Sequence, residues 1–166
     1  MIKIVTRSAA ETKKAARLLA GEIAARPGLG TRGALVITLS GELGAGKTTF
    51  TQGFAGALGI KEKIQSPTFV LMKIYGLPPR IKDKWKKIKD GGGKFRHLIH
   101  IDCYRIRGPQ DLIHLGFKNL LRDRDAIILI EWPERIKKIL PRDVTQLSLT
   151  HSRMLRERII RIKKPI

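Results

Sequence analysis

The segment Gly41-Glu42-Leu43-Gly44-Ala45-Gly46-Lys47-Thr48 constrains this chain more than any other stretch, because the spacing G-x-x-x-x-G-K-T joins a buried strand to a helix through a phosphate-binding loop. Its flanks agree with that reading. Ala34 to Ser40 is β-branched and apolar enough for a strand covered on both faces, the kind a parallel sheet uses. From Lys47 onward the pattern turns helical, with Phe50, Phe54, Ala57 and Leu58 on one side and Gly59 placed to close the last turn. Glycines let the backbone curl until successive N–H groups point at one oxyanion, and the helix that follows adds the positive end of its dipole. Lys47 can reach the β- and γ-phosphates of a nucleotide, and the Thr48 hydroxyl is placed to ligate magnesium. Gly44, Ala45, Gly46, Lys47, Thr48 and Thr49 are therefore the candidate nucleotide-binding residues.

The rest of the chain supplies the other elements of such a fold. Lys3 to Thr6 reads as a short first strand, and Ser8-Ala9-Ala10-Glu11 has the Ser-x-x-Glu spacing that satisfies the free amides of a starting helix. Ala15, Ala16, Leu18, Leu19 and Ile23 give that helix an apolar stripe, and Arg26-Pro27-Gly28 stops it. Further strands are expected at Thr68 to Tyr75, Leu98 to Asp102 and Ala126 to Ile130, with a helix from Pro109 to Leu121. Thr145 to Leu149 and Arg158 to Ile162 read as a closing antiparallel pair. The expectation is a three-layer α/β P-loop NTPase fold with a mostly parallel sheet and antiparallel additions. At 166 residues it should form one domain, 1–166, interrupted by a basic insertion at about 77–97. Within that insertion, Pro79 to Arg96 holds eight basic and two acidic residues, with Gly91-Gly92-Gly93 inside.

Magnesium and an attacking water call for carboxylates, which in a parallel sheet project from the carboxyl ends of strands next to the loop strand. Asp102 and Glu131 each end an apolar run and qualify as the catalytic acids. Either could hold the metal directly or through water, and a glutamate so placed could orient or deprotonate the nucleophilic water. The plainer alternative is that each caps a following helix or meets an arginine such as Arg105 or Arg135. Thr68, in Ser66-Pro67-Thr68, stands where nucleotide hydrolases often carry a threonine that senses the γ-phosphate; an ordinary turn residue would look the same. Asn119 is the only asparagine and leucines follow it, so the Asn-Lys-x-Asp guanine signature is absent, which favours ATP over GTP.

Composition adds bounds. The formal charge of +20, from 34 basic and 14 acidic residues, favours polyanionic partners such as RNA, although a proteome shifted basic for solubility would give the same balance. Cys103 is the only cysteine, so neither an internal disulfide nor a multi-cysteine metal site is available, and it reads as a small buried apolar residue. No apolar run approaches the roughly 20 residues needed to span a bilayer, and the expected location is the cytoplasm, with no membrane partner.

The motifs taken together are similar to one family. Gly41 to Phe50, Ser66-Pro67-Thr68-Phe69, His100-Ile101-Asp102-Cys103-Tyr104-Arg105, Leu115-Gly116 and Ile130-Glu131-Trp132-Pro133-Glu134 resemble, in order and spacing, the bacterial TsaE (YjeE) family of ATPases, over most of the chain except the basic insertion. That resemblance implies an ATPase that works with a threonylcarbamoyl transferase subunit and its inactive paralogue to place N6-threonylcarbamoyladenosine beside the anticodon of tRNA. It implies that Lys47 and the glycines bind phosphate, that Thr48 and Glu131 ligate magnesium, and that Asp102 is the second essential acid. It also implies that Thr68 is the switch residue, that Trp132 shapes the site or the partner face, and that Glu11 and Arg156 touch the nucleotide base. Two rivals remain: a small-molecule kinase, in which the insertion would imitate a lid, and a non-enzymatic RNA-binding module. For the second, five Phe, two Tyr and two Trp are a thin supply for base stacking.

Overall fold

The computed structural model describes residues 1–24, 32–78, 95–152 and 157–163. Seven strands form one sheet: β1 (Ile2–Thr6), β2 (Leu35–Ser40), β3 (Met72–Gly76), β4 (His97–Asp102), β5 (Ala126–Glu131), β6 (Thr145–His151) and β7 (Arg158–Lys163). Their spatial order is β1-β7-β6-β2-β5-β4-β3. The central strands β6, β2, β5 and β4 run parallel, whereas β7 is antiparallel to β6, β1 to β7, and β3 to β4. The antiparallel additions expected from sequence are therefore the two outer edges.

Period-two burial assigns each strand residue to a layer. Ile127 and Leu129 of β5 join Ile37 and Leu39 of β2 in one core, against helices α1 (Ala9–Ala24) and α2 (Lys47–Ala57). Ile128 and Ile130 join Val36, Ile99 and Ile101 in a second core on the opposite face. There they meet α3 (Pro109–His114), α4 (Phe117–Leu120) and a 3-10 helix (Pro133–Ile139) through Leu112, Phe117 and Ile136. Each fully buried aliphatic side chain contributes about 1.5–3 kcal/mol, so the central strands hold the two layers together. Between the helices, Gly53 of α2 lies so near α1 that an added Cβ would come within 2.5 Å of the Lys13 Cα.

Two expected boundaries differ. The strand read as Thr68 to Tyr75 begins only at Met72, because Pro67 to Leu71 forms a turn closed by Val70 N–H donating to the Pro67 carbonyl, with Leu71 at a φ of 61°. The β-branched and aromatic residues there suggested a strand, but they lie against no partner strand: Phe69 and Val70 are exposed. The helix read as Pro109 to Leu121 is two short helices, broken where Gly116 takes a φ of 81° and ends the first. The first helix is capped by Ser8 as the Ser-x-x-Glu spacing predicts, while the return bond from Glu11 goes to the residue before the cap. The Ser8 hydroxyl accepts from the Glu11 N–H at 3.1 Å, and Glu11 reaches back to the Arg7 N–H at 2.7 Å. The basic insertion and Arg26-Pro27-Gly28 lie outside the described residues, apart from the insertion's ends.

Cys103 is fully buried, and burial, with the charges of Asp102 and Glu134 adding to it, pushes its thiol up to about 12. Thiolate is the reactive form, so raising the pH to 9 should not restore reactivity while the fold is intact. A thiol reagent at pH 8 to 9 is expected to label Cys103 only at the rate of unfolding, and rapid stoichiometric labelling of the native protein would contradict this burial. Among the described residues, no helix is long and apolar enough to cross a membrane.

Candidate functional site

At the carboxyl end of β2 the chain turns away through Gly41, where a Cβ would strike the Leu149 carbonyl of β6 at 2.1 Å. It enters α2 through Gly46, whose φ of 100° is left-handed and admits glycine at little cost. The loop between them opens on a cleft of about 260 Å³, lined on the loop side by Leu43, Gly44, Gly46, Lys47, Thr48 and Thr49. Ser66, Thr68, Asp102, Tyr104, Glu131 and Trp132 form the facing wall. Ala45 is buried behind the loop rather than lining the cleft.

Lys47 is buried and turned back onto its own loop: its ammonium donates to the carbonyls of Gly41 at 2.7 Å and Glu42 at 2.9 Å. The same ammonium lies 3.9 Å from the centre of the Trp132 ring. Burial lowers its pKa, while Glu131, Asp102 and Glu134 oppose that shift. A cation in this position gains from any anion brought beside it. Trp132 follows β5 with a φ of 59°, a left-handed conformation that costs a non-glycine residue roughly 1–2 kcal/mol. Its backbone N–H donates to the Leu39 carbonyl at 3.2 Å and its ring meets Tyr104 at 5.0 Å, which together hold the indole over the lysine.

The two acids are in register. Asp102 of β4 pairs with Glu131 of β5 across parallel strands, so both side chains leave the sheet on the face that carries α2. The Thr48 hydroxyl, in the first turn of α2, lies 3.2 and 3.3 Å from the two Glu131 carboxylate oxygens and donates to them. Asp102 accepts through Oδ2 from the hydroxyls of Ser66 and Thr68, the latter at 2.6 Å, and through Oδ1 from the Tyr104 N–H at 2.9 Å. Thr68 makes this contact while lying in the Pro67 to Leu71 turn, so it answers to both readings of it. Neither acid is paired with Arg105 or Arg135: Arg105 lies over the Phe69 ring and Arg135 donates to the Ile106 carbonyl.

Sequence reasoning passed over one residue of this wall, Ser66, and one buried behind it, His100. Ser66 was quoted only as part of Ser-Pro-Thr, yet it grips the same oxygen as Thr68. His100, read as a plain strand residue, places Nε2 2.9 Å from Glu131 Oε1. Its signal was two-residue spacing from Asp102, which puts both on one face of β4. Glu11 is not in the cleft lining; it caps α1, whose entrance is tied to β7 by Arg7 and Glu157 at 3.0 Å. Arg156 lies outside the described residues.

The donors present fit a magnesium nucleotide. A hydroxyl and a carboxylate are the hard oxygens that ion takes, and it keeps several waters and phosphate oxygens rather than requiring an all-protein cage. Among the described residues, no group of three or more His, Cys, Asp or Glu that could enclose a metal occurs.

The family model described as threonylcarbamoyl adenosine biosynthesis protein TsaE matches residues 6–160. The tRNA threonylcarbamoyladenosine biosynthesis protein TsaE of Haemophilus influenzae is 34% identical over 113 residues, 68% of this chain and 61% of that protein. Its counterpart of the same name in Bacillus subtilis is 36% identical over 141 residues, 84% of this chain and 71% of that protein. The alignment thus spans about three fifths to seven tenths of these relatives' lengths. The crystal structure of Bacillus subtilis YdiB superposes with a TM-score of 0.69 at 30% identity, covering 99% of this chain and 86% of that one.

Proposed function

The chain belongs to the TsaE family of threonylcarbamoyl adenosine biosynthesis proteins, and from that premise we propose that it binds and hydrolyses ATP with magnesium to drive the tRNA modification the family serves. Its partners would be the threonylcarbamoyl transferase subunit and its inactive paralogue, with tRNA reached through that complex in the cytoplasm. The observation that carries the reading is the Thr48 hydroxyl bonded to the Glu131 carboxylate beside a lysine folded into a phosphate-binding loop.

Each residue then has a task. Loop amides and Lys47 bind the phosphates, Lys47 exchanging its carbonyl partners for phosphate oxygens at little net loss of hydrogen bonds. Thr48 and Glu131 would hold magnesium, which when bound neutralises charge developing on the phosphates. Asp102, held by Ser66 and Thr68, is positioned to orient water at the cleft wall. Thr68 couples that acid to the Pro67 to Leu71 turn, so a bound γ-phosphate that draws Thr68 away would move Phe69 and Val70, which are exposed. Partner proteins would sense the nucleotide state there, provided the two states bind them differently. Glu11 and Arg156 would complete the base pocket.

The test is ATP turnover by the purified protein, alone and with the transferase complex, beside Thr48→Ala. Phosphate release without an acceptor, stimulated by the complex and lost in the variant, is the expected result. Phosphate transfer to a small acceptor would instead establish a kinase. No turnover with tight RNA binding would establish the RNA-binding module.

A further inference from the structure

We propose that His100 is a positioning residue for Glu131: it fixes the carboxylate so that the magnesium ion finds it already aimed. The inference rests on the reading above for the identity of the ion, and on three observations of the molecule for the rest. First, the His100 ring and the Glu131 carboxylate are both buried, and Nε2 lies 2.9 Å from Oε1. Second, the imidazole's other nitrogen, Nδ1, is buried with no hydrogen-bond partner. An ionised carboxylate only accepts, so Nε2 carries a proton and donates it to Oε1. Nδ1 is left unmatched, so the ring is held by its packing and by this one bond. Third, the two side chains sit on adjacent parallel strands whose register is fixed along their whole length, His100 opposite Leu129 and Asp102 opposite Glu131. The donor therefore comes from a rigid element.

The consequence is geometric. Glu131 has two neighbours, the Thr48 hydroxyl approaching both oxygens and the imidazole approaching Oε1 alone. The imidazole bond occupies one lone pair of Oε1 on the sheet side and prevents the carboxylate from rotating about its last bond. Oε2 is left with a single hydrogen-bonding neighbour, the Thr48 hydroxyl, and Glu131 lines the cleft. A histidine that orients a carboxylate in this way acts on metal affinity through the ligand it holds, without touching phosphate.

Nucleotide binding with and without the ion separates this role from a merely structural one. A fluorescent, non-hydrolysable ATP analogue would be titrated into wild type and the variants His100→Gln, His100→Asn and His100→Leu, in excess EDTA and across a magnesium series, with thermal unfolding measured in parallel. Glutamine places its amide where Nε2 stands, whereas asparagine is polar but too short and leucine has no donor. The expected result is that Asn and Leu raise the magnesium concentration for half-maximal binding by about 10- to 100-fold, leave EDTA binding unchanged, and that Gln restores it to within a few-fold. Asn stands in should Leu fail to fold. Equal behaviour of Gln and Asn, or equal loss with and without magnesium, would overturn the proposal. Wild type that binds nucleotide with no magnesium dependence would remove the ion itself, and the assignment of Glu131 with it.

Discussion

Replacing Glu131 with glutamine is expected to lower ATP turnover by about 10²- to 10⁴-fold while the protein unfolds at the same temperature or a higher one. The two halves of that expectation come from one fact. Glu131 is 2% exposed, and its neighbours at hydrogen-bonding distance are the Thr48 hydroxyl and the His100 ring, with no lysine or arginine bonded to it among the described residues, so its carboxylate is held away from water. Desolvation of that charge costs free energy in the resting protein. The amide removes the charge at constant volume and keeps an oxygen to accept from His100, so stability should not fall. Turnover should, because a neutral oxygen is a poor ligand for magnesium and a poor partner for water. Steady-state phosphate release and a thermal melt on the same preparation decide it. Full activity with a lowered melting temperature would make Glu131 a pillar of the fold and nothing more.

Gly53→Ala should destabilise the protein more than any ordinary helix substitution, although alanine is the better helix former by about 1 kcal/mol. A Cβ at this position would stand 2.5 Å from the Lys13 Cα and 2.6 Å from its carbonyl oxygen. Both obstacles are backbone, so no side chain can swing aside, and α1 must move off α2. Overpacking of this kind costs about 1–3 kcal/mol or more, and for a chain of this size each kcal/mol lowers the melting temperature by about 2–4 °C. Thermal unfolding of the variant should show a net fall of up to roughly 8 °C once the propensity gain is subtracted. At Gly56, three residues on, an added Cβ meets nothing within 4 Å, so Gly56→Ala should raise the melting temperature instead. Matching shifts at the two positions would show that α1 and α2 are not in the contact described.

The parts legible in the sequence were those in which local pattern and tertiary environment agree. Ala126 to Ile130 is apolar at every position because both faces are covered, and such a run ending in an acid can only aim that acid at the strand's carboxyl edge. That logic, applied to Asp102 as well, put both acids at the carboxyl edge of the sheet before any topology was available. Where hydrophobicity served something other than a sheet, the same reading failed. Phe69 and Val70 look like strand residues and instead stand in solvent on a turn, while Leu71 closes that turn by accepting, at its carbonyl, the Asp102 N–H. Gly116 was noticed as part of a motif, but its left-handed conformation, which divides α3 from α4, has no signature that separates it from a tolerated helix glycine. His100 and Gly53 depend on what another strand or helix brings to them, information that no window of sequence contains. The pairing of β1 with β7 is likewise set by the whole sheet.

The loop that grips phosphate is backed by the far end of the chain: Gly41 presses on the Leu149 carbonyl, and Gly46 lies against the Arg158 side chain. During synthesis the G-x-x-x-x-G-K-T segment leaves the ribosome long before either of those residues exists. A nascent chain that stops short of β6 carries the motif complete in letters yet lacks the surface that bends it, and β1 waits unpaired until β7 arrives to separate it from β6. Nucleotide should therefore bind late in translation, as one of the last events of folding.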